Sequence, residues 1–481
     1  MAQKDLREWL AAVEKFGELK RIDGADWNLE MSGISELVTR EAREKPALLF
    51  DKIKGYPAGF QALFASLGTV RRTGLTLELP LPENPSGMDL VRAIRDKLAN
   101  FQPIRPTLVN TGPVTENIQT GDDIDLWKFP APFFHELDGG RYIGTGHAVI
   151  TRDPDDGWVN LGSYRIMVVD KNTAAFHASS GRHGRLHRQK HFDKGETCPV
   201  AISVGHHPLM FLVSSCLDLA AGVSEYDYAG GFRGAGVEVI KGPYTGLPVP
   251  AWSEIVIEGD AVPETVLEGP FGEWSGYYAN NALNPVPEPI IRVKSVMHRT
   301  NPVLSCAIPG LGDDSQVGRI AIKSALIWDH LEKAGISDIK GVWCHEAGGA
   351  QFLKIISLKQ RYVGHAKQAA MIASQCRPGA YLNRYVLVVD EDIDPSNTQE
   401  VLWAMCTRSD PERDIDIIRR CWGSNADPRF APGLDKQLHN SMAIIDACKP
   451  FEWIKDFPPV AGYSPELREK LTQKWGNVVL G

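Results

Sequence analysis

A change of pattern along the chain restricts the fold more than any single motif does. Between about residues 147 and 298 the sequence breaks into short runs rich in β-branched residues, separated by glycine, proline and aspartate. Among these runs are HAVITR, WVNLGSYRIMVVD, SEIVIEG and IIRVKSVMH. Short strands with turn signals at close intervals are typical of a sheet that curls into a barrel. The sequence therefore predicts a β-rich middle domain, which we place at residues 111–310.

The segments on either side of this domain have a different pattern. Near the N-terminus, Asp5, Ser32 and Ser86 each precede a stretch with apolar residues at helical spacing, and ALLFDKI reads as a strand between them. After residue 315, helical stretches such as SQVGRIAIKSALIWDHLEKAG alternate with strand-like runs such as RYVLVVD. We expect an α/β multidomain protein, with an N-terminal α/β domain at 1–110 and a C-terminal α/β domain at 311–481.

Charge and cysteine usage narrow the class of protein. A formal net charge of −8 over 481 residues argues against non-specific binding to nucleic acid or to an anionic membrane, because both need a basic surface. The eight cysteines are scattered without a CxxC pair, as is typical of reduced thiols. The N-terminus lacks the apolar core of a signal peptide, and no apolar run reaches membrane-spanning length. These features predict a cytoplasmic protein.

Two carboxylates flank a tight turn in the segment EGPFGEWSGYY, residues 268–278. Glu268 precedes a Gly-Pro-Phe-Gly turn and Glu273 follows it. Because glycine and proline exclude a regular helix here, helical spacing does not explain why the two acids are placed together. Paired acids in a loop are most often exposed surface residues, so this segment alone leaves both a surface turn and a functional site open.

Histidines recur at a spacing of four in FHASSGRHGRLHRQKHF: His183, His187 and His191. This spacing fits metal ligands on one helical face, but a solvated basic helix explains it at least as well. In an acidic chain the segment is still the best candidate for anion binding. The glycines of GGRYIGTGHA follow no clear strand and open no clear helix, which argues against a dinucleotide-binding site.

Five short blocks together carry a resemblance that none of them carries alone. They are NLGSYR (160–165), RHGRL (182–186), AGVSEY (221–226), EGPFGEW (268–274) and GHAKQA (364–369). Their order and approximate spacing resemble the UbiD family of decarboxylases, which use prenylated FMN. The resemblance implies a middle domain similar to the split barrel of flavin reductases and a C-terminal domain that mediates dimerisation.

The family pattern also implies a metal and a set of cofactor contacts. Asn160, His183 and Glu225 would hold a divalent ion, expected to be manganese, against the cofactor phosphate. Oxygen ligands and one imidazole suit such an ion and neutralise a phosphate without a large basic surface. His187 and His191 are then assigned to the helix surface. The other residues expected at the cofactor are Gly162, Ser163, Tyr164, Arg165, Arg182 and Lys367. A potassium ion is expected at the carbonyls of Ser215 and Leu217, with Asp446 nearby.

Arg165, Glu268 and Glu273 match the family's Arg-Glu-Glu set. In this interpretation Arg165 orients a substrate carboxylate or holds Glu268, and Glu273 protonates the carbon that CO₂ has left. We expect desolvation near Trp274 to favour the protonated form of Glu273. Carbon–carbon cleavage needs an electron sink that no side chain supplies, which is the role of the modified flavin. The predicted reaction is the reversible non-oxidative decarboxylation of an aromatic, heteroaromatic or α,β-unsaturated acid.

Two other classes of protein stay open at this point. A flavin-dependent oxidoreductase could use the same barrel, and a non-catalytic protein could use the metal cluster to bind a phosphate. The expected partners of a decarboxylase are its acid substrate and CO₂, a flavin prenyltransferase that supplies the cofactor, and further copies of the chain in a homodimer or a higher homo-oligomer. Polar residues expected at the substrate end favour a heteroaromatic or hydroxylated aromatic acid over a cinnamate-type acid; they are Asp313, Asp314 and Gln316.

Overall fold

The structure is a computed structural model of the chain. It describes residues 3–179, 181–216, 219, 221–279, 284–310, 316–424, 426–430 and 439–479. Within these residues the protein is a mixed α/β assembly in which a large, mostly antiparallel sheet lies between two α/β regions in sequence.

The N-terminal region combines helices with the first strands of a four-stranded sheet of order β1-β2-β3-β16. Its last strand, β16 (Val303–Ser305), comes from the end of the middle region and pairs in parallel with β3. The N-terminal sheet is therefore completed by a distant part of the chain. The elements of this region are α1 (Leu6–Lys15), β1 (Leu19–Asp23), α2 (Glu30–Glu41), β2 (Ala47–Asp51), β3 (Gln61–Phe64), α3 (Val70–Thr76) and α4 (Gly87–Ala99).

The sequence predicted caps at the starts of three helices in this region, and two of the three are present. Asp5 accepts a backbone N–H in the first turn of α1, and Ser86 forms a capping box at the start of α4, as predicted. The prediction that Ser32 precedes the second helix is wrong. Helix α2 begins at Glu30, and the buried Ser32 hydroxyl donates to the carbonyl of Phe134 at 2.7 Å. Ser32 therefore lies inside the helix, where its hydroxyl donates to a distant carbonyl instead of accepting a backbone N–H as a cap.

The middle region is dominated by a nine-stranded sheet whose main path runs β6-β9-β10-β15-β14-β11-β7-β8, with β5 paired beside β15. Its longest strands, β14 and β15, form an antiparallel pair with two register shifts. Such irregularities bend strands and let a sheet curl. The elements are β4 (Thr107–Leu108), β5 (Asn117–Thr120), β6 (Arg141–Gly144), β7 (His147–Arg152), β8 (Val159–Gly162), β9 (Ile166–Val168), β10 (Thr173–Phe176), α5 (His183–Asp193), β11 (Cys198–Val204), α6 (Pro208–Cys216), α7 (Glu225–Arg233), β12 (Glu238–Lys241), β13 (Pro248–Pro250), β14 (Ile255–Glu268), β15 (Val286–His298) and β16.

The C-terminal region is a second α/β unit built on a five-stranded sheet of order β17-β18-β19-β21-β20. The inner strands β18, β19 and β21 are parallel, and an antiparallel strand closes each edge. The elements are α8 (Gln316–Lys333), β17 (Ile339–Cys344), β18 (Leu353–Leu358), α9 (His365–Gln375), α10 (Arg377–Ala380), β19 (Tyr385–Asp390), α11 (Thr398–Arg408), α12 (Pro411–Asp414), β20 (Ile415–Trp422), β21 (His439–Ala447) and α13 (Pro465–Val479).

One hydrophobic core joins the three regions. Val91 on α4, Val213 on α6 and Ile327 on α8 belong to the same buried cluster and are fully inaccessible to solvent. A second contact joins the middle and C-terminal regions, because the rings of Trp274 and Phe352 lie 5.2 Å apart. Trp274 follows Glu273, so the C-terminal region directly borders the Gly-Pro-Phe-Gly turn. Among the described helices, none combines the length and the hydropathy needed to cross a membrane. The cytoplasmic location stays a prediction.

Candidate active site

Arg165 binds two carboxylates at once. It lies between β8 and β9, while Glu268 is the last residue of β14 and Glu273 follows in the turn. The guanidinium donates from Nε (2.7 Å) and Nη2 (2.9 Å) to the two oxygens of Glu268, and from Nη1 to Glu273 Oε1 (2.7 Å). These bonds use three of the five guanidinium N–H groups, so two are left for another oxygen ligand. The structure therefore brings the three predicted residues into one cluster.

Two aromatic side chains that the sequence did not single out complete this cluster. Phe271, from the turn itself, lies under the guanidinium, with 4.7 Å between its ring centre and Arg165 Cζ. Tyr142, on β6, donates its hydroxyl to Glu268 Oε1 at 2.9 Å, and its ring lies 4.5 Å from that of Phe271. Phe271 could have been found from its place between the two acids, whereas nothing in the sequence around Tyr142 indicates its role.

The turn between the two acids is anchored by a buried carboxylate. Asp138 Oδ1 accepts the backbone N–H of Gly272 at 3.0 Å and the hydroxyl of Tyr278 at 2.8 Å. Gly269 has a φ of +91°, a conformation that residues with a side chain rarely adopt. Glycine and an external anchor therefore fix the direction in which Glu273 leaves the turn.

The two acids of the cluster differ in burial and in their hydrogen bonds. Glu268 is fully buried; burial opposes its charge, but the hydrogen bonds from Arg165 outweigh this effect and hold its pKa below the usual range. Burial also opposes the charge of Arg165, yet its bonds to the acids raise its pKa. Burial and the charge of Glu268 raise the pKa of Tyr142, which keeps that hydroxyl a donor. Glu268 is thus a fixed carboxylate, whereas the side chain of Glu273 is 20% exposed to solvent.

A second polar cluster lies beside the first. Asn160 is on β8, while His183 and Glu225 are the first residues of α5 and α7. The hydroxyl of Tyr164 accepts the amide N–H of Asn160 at 3.2 Å and the backbone N–H of Gly184, next to His183, at 3.0 Å. One phenol therefore connects the strand that carries Asn160 to the helix that begins with His183.

Glu225 is the group in this cluster that a cation would neutralise. Its carboxylate is buried and accepts the backbone N–H of Leu161, the neighbour of Asn160, at 2.8 Å. In the part of the chain that the structure describes, no basic side chain is bonded to it. Burial raises the pKa of Glu225 to about 7. Asn160 uses its amide nitrogen on Tyr164, so its carbonyl oxygen is the atom that could bind an ion. Two oxygens and one imidazole fit a divalent cation such as manganese.

Tyr164, predicted at the cofactor, is a buried support for this cluster. A Cβ added to Gly162 or to Gly184 would lie 2.2 Å or 2.3 Å, respectively, from its ring. Both glycines are therefore required for the ring to occupy its position between β8 and α5. This explains the glycine of NLGSYR through packing of the protein alone.

Ser163 and Arg182, also predicted at the cofactor, contact α6 and the segment after α10, respectively. The Ser163 hydroxyl lies 3.0 Å from Ser214 Oγ at the end of α6. The guanidinium of Arg182 lies 6.0 Å from the ring centre of Tyr381, just after α10. Arg182 therefore connects the second cluster to the C-terminal region.

The prediction that His187 lies on the surface of a solvated helix is wrong. His187 is buried, with Nδ1 at 3.0 Å from Thr151 Oγ1, and the buried Arg188 donates to the carbonyl of Phe176 at 2.7 Å. Burial lowers the pKa of His187 to about 4. Helix α5 packs on the large sheet, so one of its faces is buried although that face carries few apolar residues. His191 is partly exposed and lies near Glu196.

The remaining predicted residues lie in other surroundings. Lys367, on α9, has an exposed ammonium 2.8 Å from Asp416 Oδ2 on β20. Ser215 donates its hydroxyl to a carbonyl within α6, and Asp446 lies on β21, where it accepts the backbone N–H of Cys448 at 3.0 Å. The roles of Lys367 at the phosphate and of Ser215 and Asp446 at potassium stay predictions. Gln316, predicted at the substrate end, is the first residue of α8. Three predicted residues fall outside the described residues: Leu217, Asp313 and Asp314.

Comparison with known proteins identifies the family. Models of three domains of the 3-octaprenyl-4-hydroxybenzoate carboxy-lyase family, UbiD, match the chain: the N-terminal domain at 10–94, the Rift-related domain at 107–312 and the C-terminal domain at 319–447. The chain belongs to the UbiD family. The resemblance carried by the five sequence blocks is confirmed, and so is the predicted carboxy-lyase class.

Individual UbiD relatives match over nearly the whole chain. The phenolic acid decarboxylase of Streptomyces sp. (strain D7) is 33% identical over 98% of this chain and 100% of its own. The pyrrole-2-carboxylic acid decarboxylase of Pseudomonas aeruginosa is 32% identical over 85% and 84%. The UbiD-class enzyme HmfF from Pelotomaculum thermopropionicum in complex with FMN has a TM-score of 0.84 at 27% identity, over 97% of this chain and 98% of that chain. An evolved dimeric form of HmfF in complex with prFMN has a TM-score of 0.81 at 27% identity, over the same shares. The predicted α/β fold class is confirmed.

Proposed function

We propose that this protein decarboxylates an aromatic or heteroaromatic carboxylic acid without net oxidation, using prenylated FMN. The observation that carries the proposal is the single guanidinium of Arg165, bound to both Glu268 and Glu273. The relatives named as phenolic acid and pyrrole-2-carboxylic acid decarboxylases support this class of substrate. The complexes of HmfF with FMN and prFMN support the cofactor.

The residues of the Arg165 cluster have separate tasks in this reaction. Arg165 uses its two remaining N–H groups to orient the substrate carboxylate. Glu268, ionised and buried, fixes the plane of the guanidinium. When CO₂ leaves, the carbon that carried it takes a proton from Glu273, which regains a proton from solvent through its exposed side. The modified flavin, when bound, supplies the electron sink that carbon–carbon cleavage requires.

Asn160, His183 and Glu225 would hold a divalent ion, manganese, against the cofactor phosphate. The buried and unneutralised Glu225 carboxylate supports this assignment, because a cation beside it would remove an uncompensated buried charge. Gly162, Ser163, Tyr164 and Arg182 would contact the cofactor beside this cluster, and Lys367 is assigned to the phosphate by sequence alone. A flavin prenyltransferase would supply the modified flavin.

A potassium ion at the carbonyls of Ser215 and Leu217, with Asp446 nearby, is also part of the proposal. Burial raises the pKa of Asp446, and the charges of Asp414 and Asp390 add to this effect. A monovalent cation near Asp446 would relieve the repulsion among these acids.

We propose that the protein is a homodimer joined through α13. This helix exposes apolar side chains at a spacing of three to four residues, between 40% and 76% accessible: Leu467, Leu471, Trp475 and Val478. A 15-residue helix is marginally stable in water by itself, and an exposed apolar stripe is typical of an interface. Light scattering should give twice the chain mass for the wild type and a smaller mass for the double variant Leu471→Glu, Trp475→Glu. An unchanged mass would assign the dimer to another surface.

Co-expression with a flavin prenyltransferase provides the test of the function. The purified protein should carry a flavin whose absorption differs from that of FMN, and it should release CO₂ from at least one acid in a panel of pyrrole, indole, phenolic and cinnamic acids. Protein from cells without the prenyltransferase is the matched control and should release none. Turnover of NAD(P)H without CO₂ release would favour a flavin oxidoreductase, and flavin binding without any turnover would favour a non-catalytic phosphate-binding protein.

A further inference from the structure

Ionisable side chains of alternating sign form a row that leads from helix α5 to the Arg165 cluster. This charged row begins at Arg188 on α5 and continues through Glu288 on β15 and His177, the residue after β10. It ends at Glu268 and Arg165. The proposed mechanism uses the last two residues of the row and assigns no task to the first three.

Neighbours in the charged row lie within 4 Å of one another. Arg188 Nη2 is 3.9 Å from Glu288 Oε2, and Glu288 Oε1 is 2.8 Å from His177 Nδ1. The same His177 nitrogen is 3.8 Å from Glu268 Oε2, the oxygen that accepts Arg165 Nη2 at 2.9 Å. Because an ionised carboxylate only accepts hydrogen bonds, Nδ1 carries the proton that Glu288 accepts. His177 therefore donates to one acid and faces a second one.

The sheet fixes the position of His177. Strand β15 lies between β10 and β14, and Ala175 on β10 is opposite Ile290 on β15. Continuing this antiparallel register by two residues brings His177 opposite Glu288, on the same face of the sheet. The backbone N–H of His177 also donates to the carbonyl of Arg165 at 3.2 Å. His177 is therefore attached both to β15 and to the segment that carries the guanidinium.

The charges of the row indicate a protonated imidazole. Together with Glu273, which binds Arg165, the row contains three carboxylates and two guanidinium groups. A protonated His177 raises the number of positive charges to three. Glu268, Glu288 and Arg188 are buried, where an unbalanced charge is costly. Burial opposes the charge of Glu268 and the hydrogen bonds from Arg165 favour it; the charge of His177 then lowers the pKa of Glu268 further.

We propose that His177, held by Glu288, is a positioning residue that keeps Glu268 ionised and thereby fixes the Arg165 guanidinium. The inference deepens the proposed function and rests on it, because the orientation of the substrate carboxylate is assigned to Arg165. Without the positive charge of His177, Glu268 would take up a proton more readily. A protonated Glu268 would hold the guanidinium less firmly, since hydrogen bonds between two charged groups are the stronger ones.

A double-mutant cycle on ligand binding tests the link between His177 and Glu268 without turnover. Protein loaded with unmodified FMN is titrated calorimetrically with benzoate, whose carboxylate probes Arg165. His177→Phe should weaken benzoate binding by about three- to tenfold when Glu268 is present. In the Glu268→Gln background the same change should cost less than about twofold, because its effect passes through Glu268. Equal losses in the two backgrounds, or no loss in either, would overturn the positioning role.

His330→Phe, at an exposed position on α8, is the matched control and should leave benzoate binding unchanged. Circular dichroism and FMN content should be the same in His177→Phe and in the wild type. If His177→Phe does not fold or does not retain FMN, the cycle is measured with His177→Asn and judged by the same criterion. Asparagine keeps an N–H donor close to the place of Nδ1 but carries no charge.

The pH–rate profile of the prenyltransferase-loaded enzyme separates the charge of His177 from its hydrogen bond. The positive charge lowers the pKa of Glu268, so its loss should raise that pKa and move the acidic limb of the profile to higher pH. The shift should appear in His177→Asn as well as in His177→Phe, because both lack the charge. An acidic limb that stays in place in His177→Asn would overturn the role of the charge.

The binding cycle and the search for activity can fail separately. If the cycle shows that His177 acts through Glu268 but the prenyltransferase-loaded enzyme releases no CO₂ from any acid, the positioning role stands and the proposed function fails. If the enzyme releases CO₂ and the cycle shows equal losses in the two backgrounds, the proposed function stands and the role of His177 fails.

Discussion

The two polar clusters of the middle region differ in whether a basic side chain of the protein is bonded to their carboxylates. In the Arg165 cluster, one guanidinium binds both carboxylates at distances between 2.7 and 2.9 Å. In the Asn160 cluster, the buried Glu225 carboxylate receives a backbone N–H at 2.8 Å and no basic side chain among the described residues. Because a buried charge without a partner is costly, the protein's own residues neutralise the first cluster, whereas the proposed function assigns a cation to the second. The difference predicts that variants of the first cluster affect turnover and that variants of the second affect cofactor retention.

The largest expected effect tests the first cluster. Glu273→Gln keeps the shape of the side chain but cannot donate a proton, so turnover should fall by about 10²- to 10⁴-fold, the usual contribution of a general acid. Flavin content should stay at the level of the wild type, as measured by absorption of the purified protein. Glu264→Gln, an exposed change on β14, is the matched control and should leave both quantities unchanged.

Isotope exchange checks the same residue without net decarboxylation. In deuterated water with high bicarbonate, the wild type should exchange deuterium into the product at the carbon that carried the carboxylate, and Glu273→Gln should not. Near-normal exchange in the variant would remove Glu273 from the role of acid and make the two acids equivalent turn residues.

The next effect tests the second cluster. His183→Ala removes a proposed ligand, and because loss of even a supporting group at a metal site costs about 10- to 100-fold in affinity, manganese and flavin should be lost on gel filtration. Circular dichroism should show an intact fold. His191→Ala on the same helix is the control and should retain both manganese and flavin. A His183→Ala protein that keeps its full metal and flavin would falsify the assignment.

A smaller effect is expected when Glu268 loses the hydrogen bond that Tyr142 donates to it. Tyr142→Phe removes a hydrogen bond to a buried carboxylate, worth about 1.5–3 kcal/mol, so kcat/KM should fall by about tenfold or more. Loss of this donor should also raise the pKa of Glu268, and the acidic limb of the pH–rate profile should move to higher pH. Tyr244→Phe, at an exposed position, should change neither. A lower rate with an unshifted profile would indicate packing alone.

The smallest effect concerns the stability of the metal-free protein. The pKa of Glu225 in the fold, about 7, lies above that of a free glutamate, so its contribution to stability is fully present below about pH 4.5 and is lost as the pH rises through 7. Metal-free Glu225→Gln should therefore melt about 2–4 °C above the wild type at pH 8, with little difference at pH 4.5. Manganese should raise the melting temperature of the wild type and not that of the variant. Equal melting temperatures at pH 8 would show that Glu225 has a partner in the metal-free protein.

Patterns within a few neighbouring residues correctly predicted the features that depend mainly on those neighbours, namely strands and helix starts. The β-branched runs gave the β-rich middle domain, and the caps at Asp5 and Ser86 were confirmed because a helix start is decided within four residues. Ser32 and His187 were misplaced for the opposite reason. Each is held by an element distant in sequence, Ser32 by the carbonyl of Phe134 and His187 by Thr151 on β7.

The sequence by itself determined the family, the fold class and the identity of the three residues in the Arg165 cluster, since blocks such as NLGSYR and EGPFGEW are local patterns. The tertiary structure alone decided that one guanidinium binds both acids and that Tyr142 donates to Glu268. The physical reason is that these contacts join residues 103 to 126 positions apart in the sequence. Hydrogen-bond partners and pKa depend on burial and distance, which residue type and spacing do not specify.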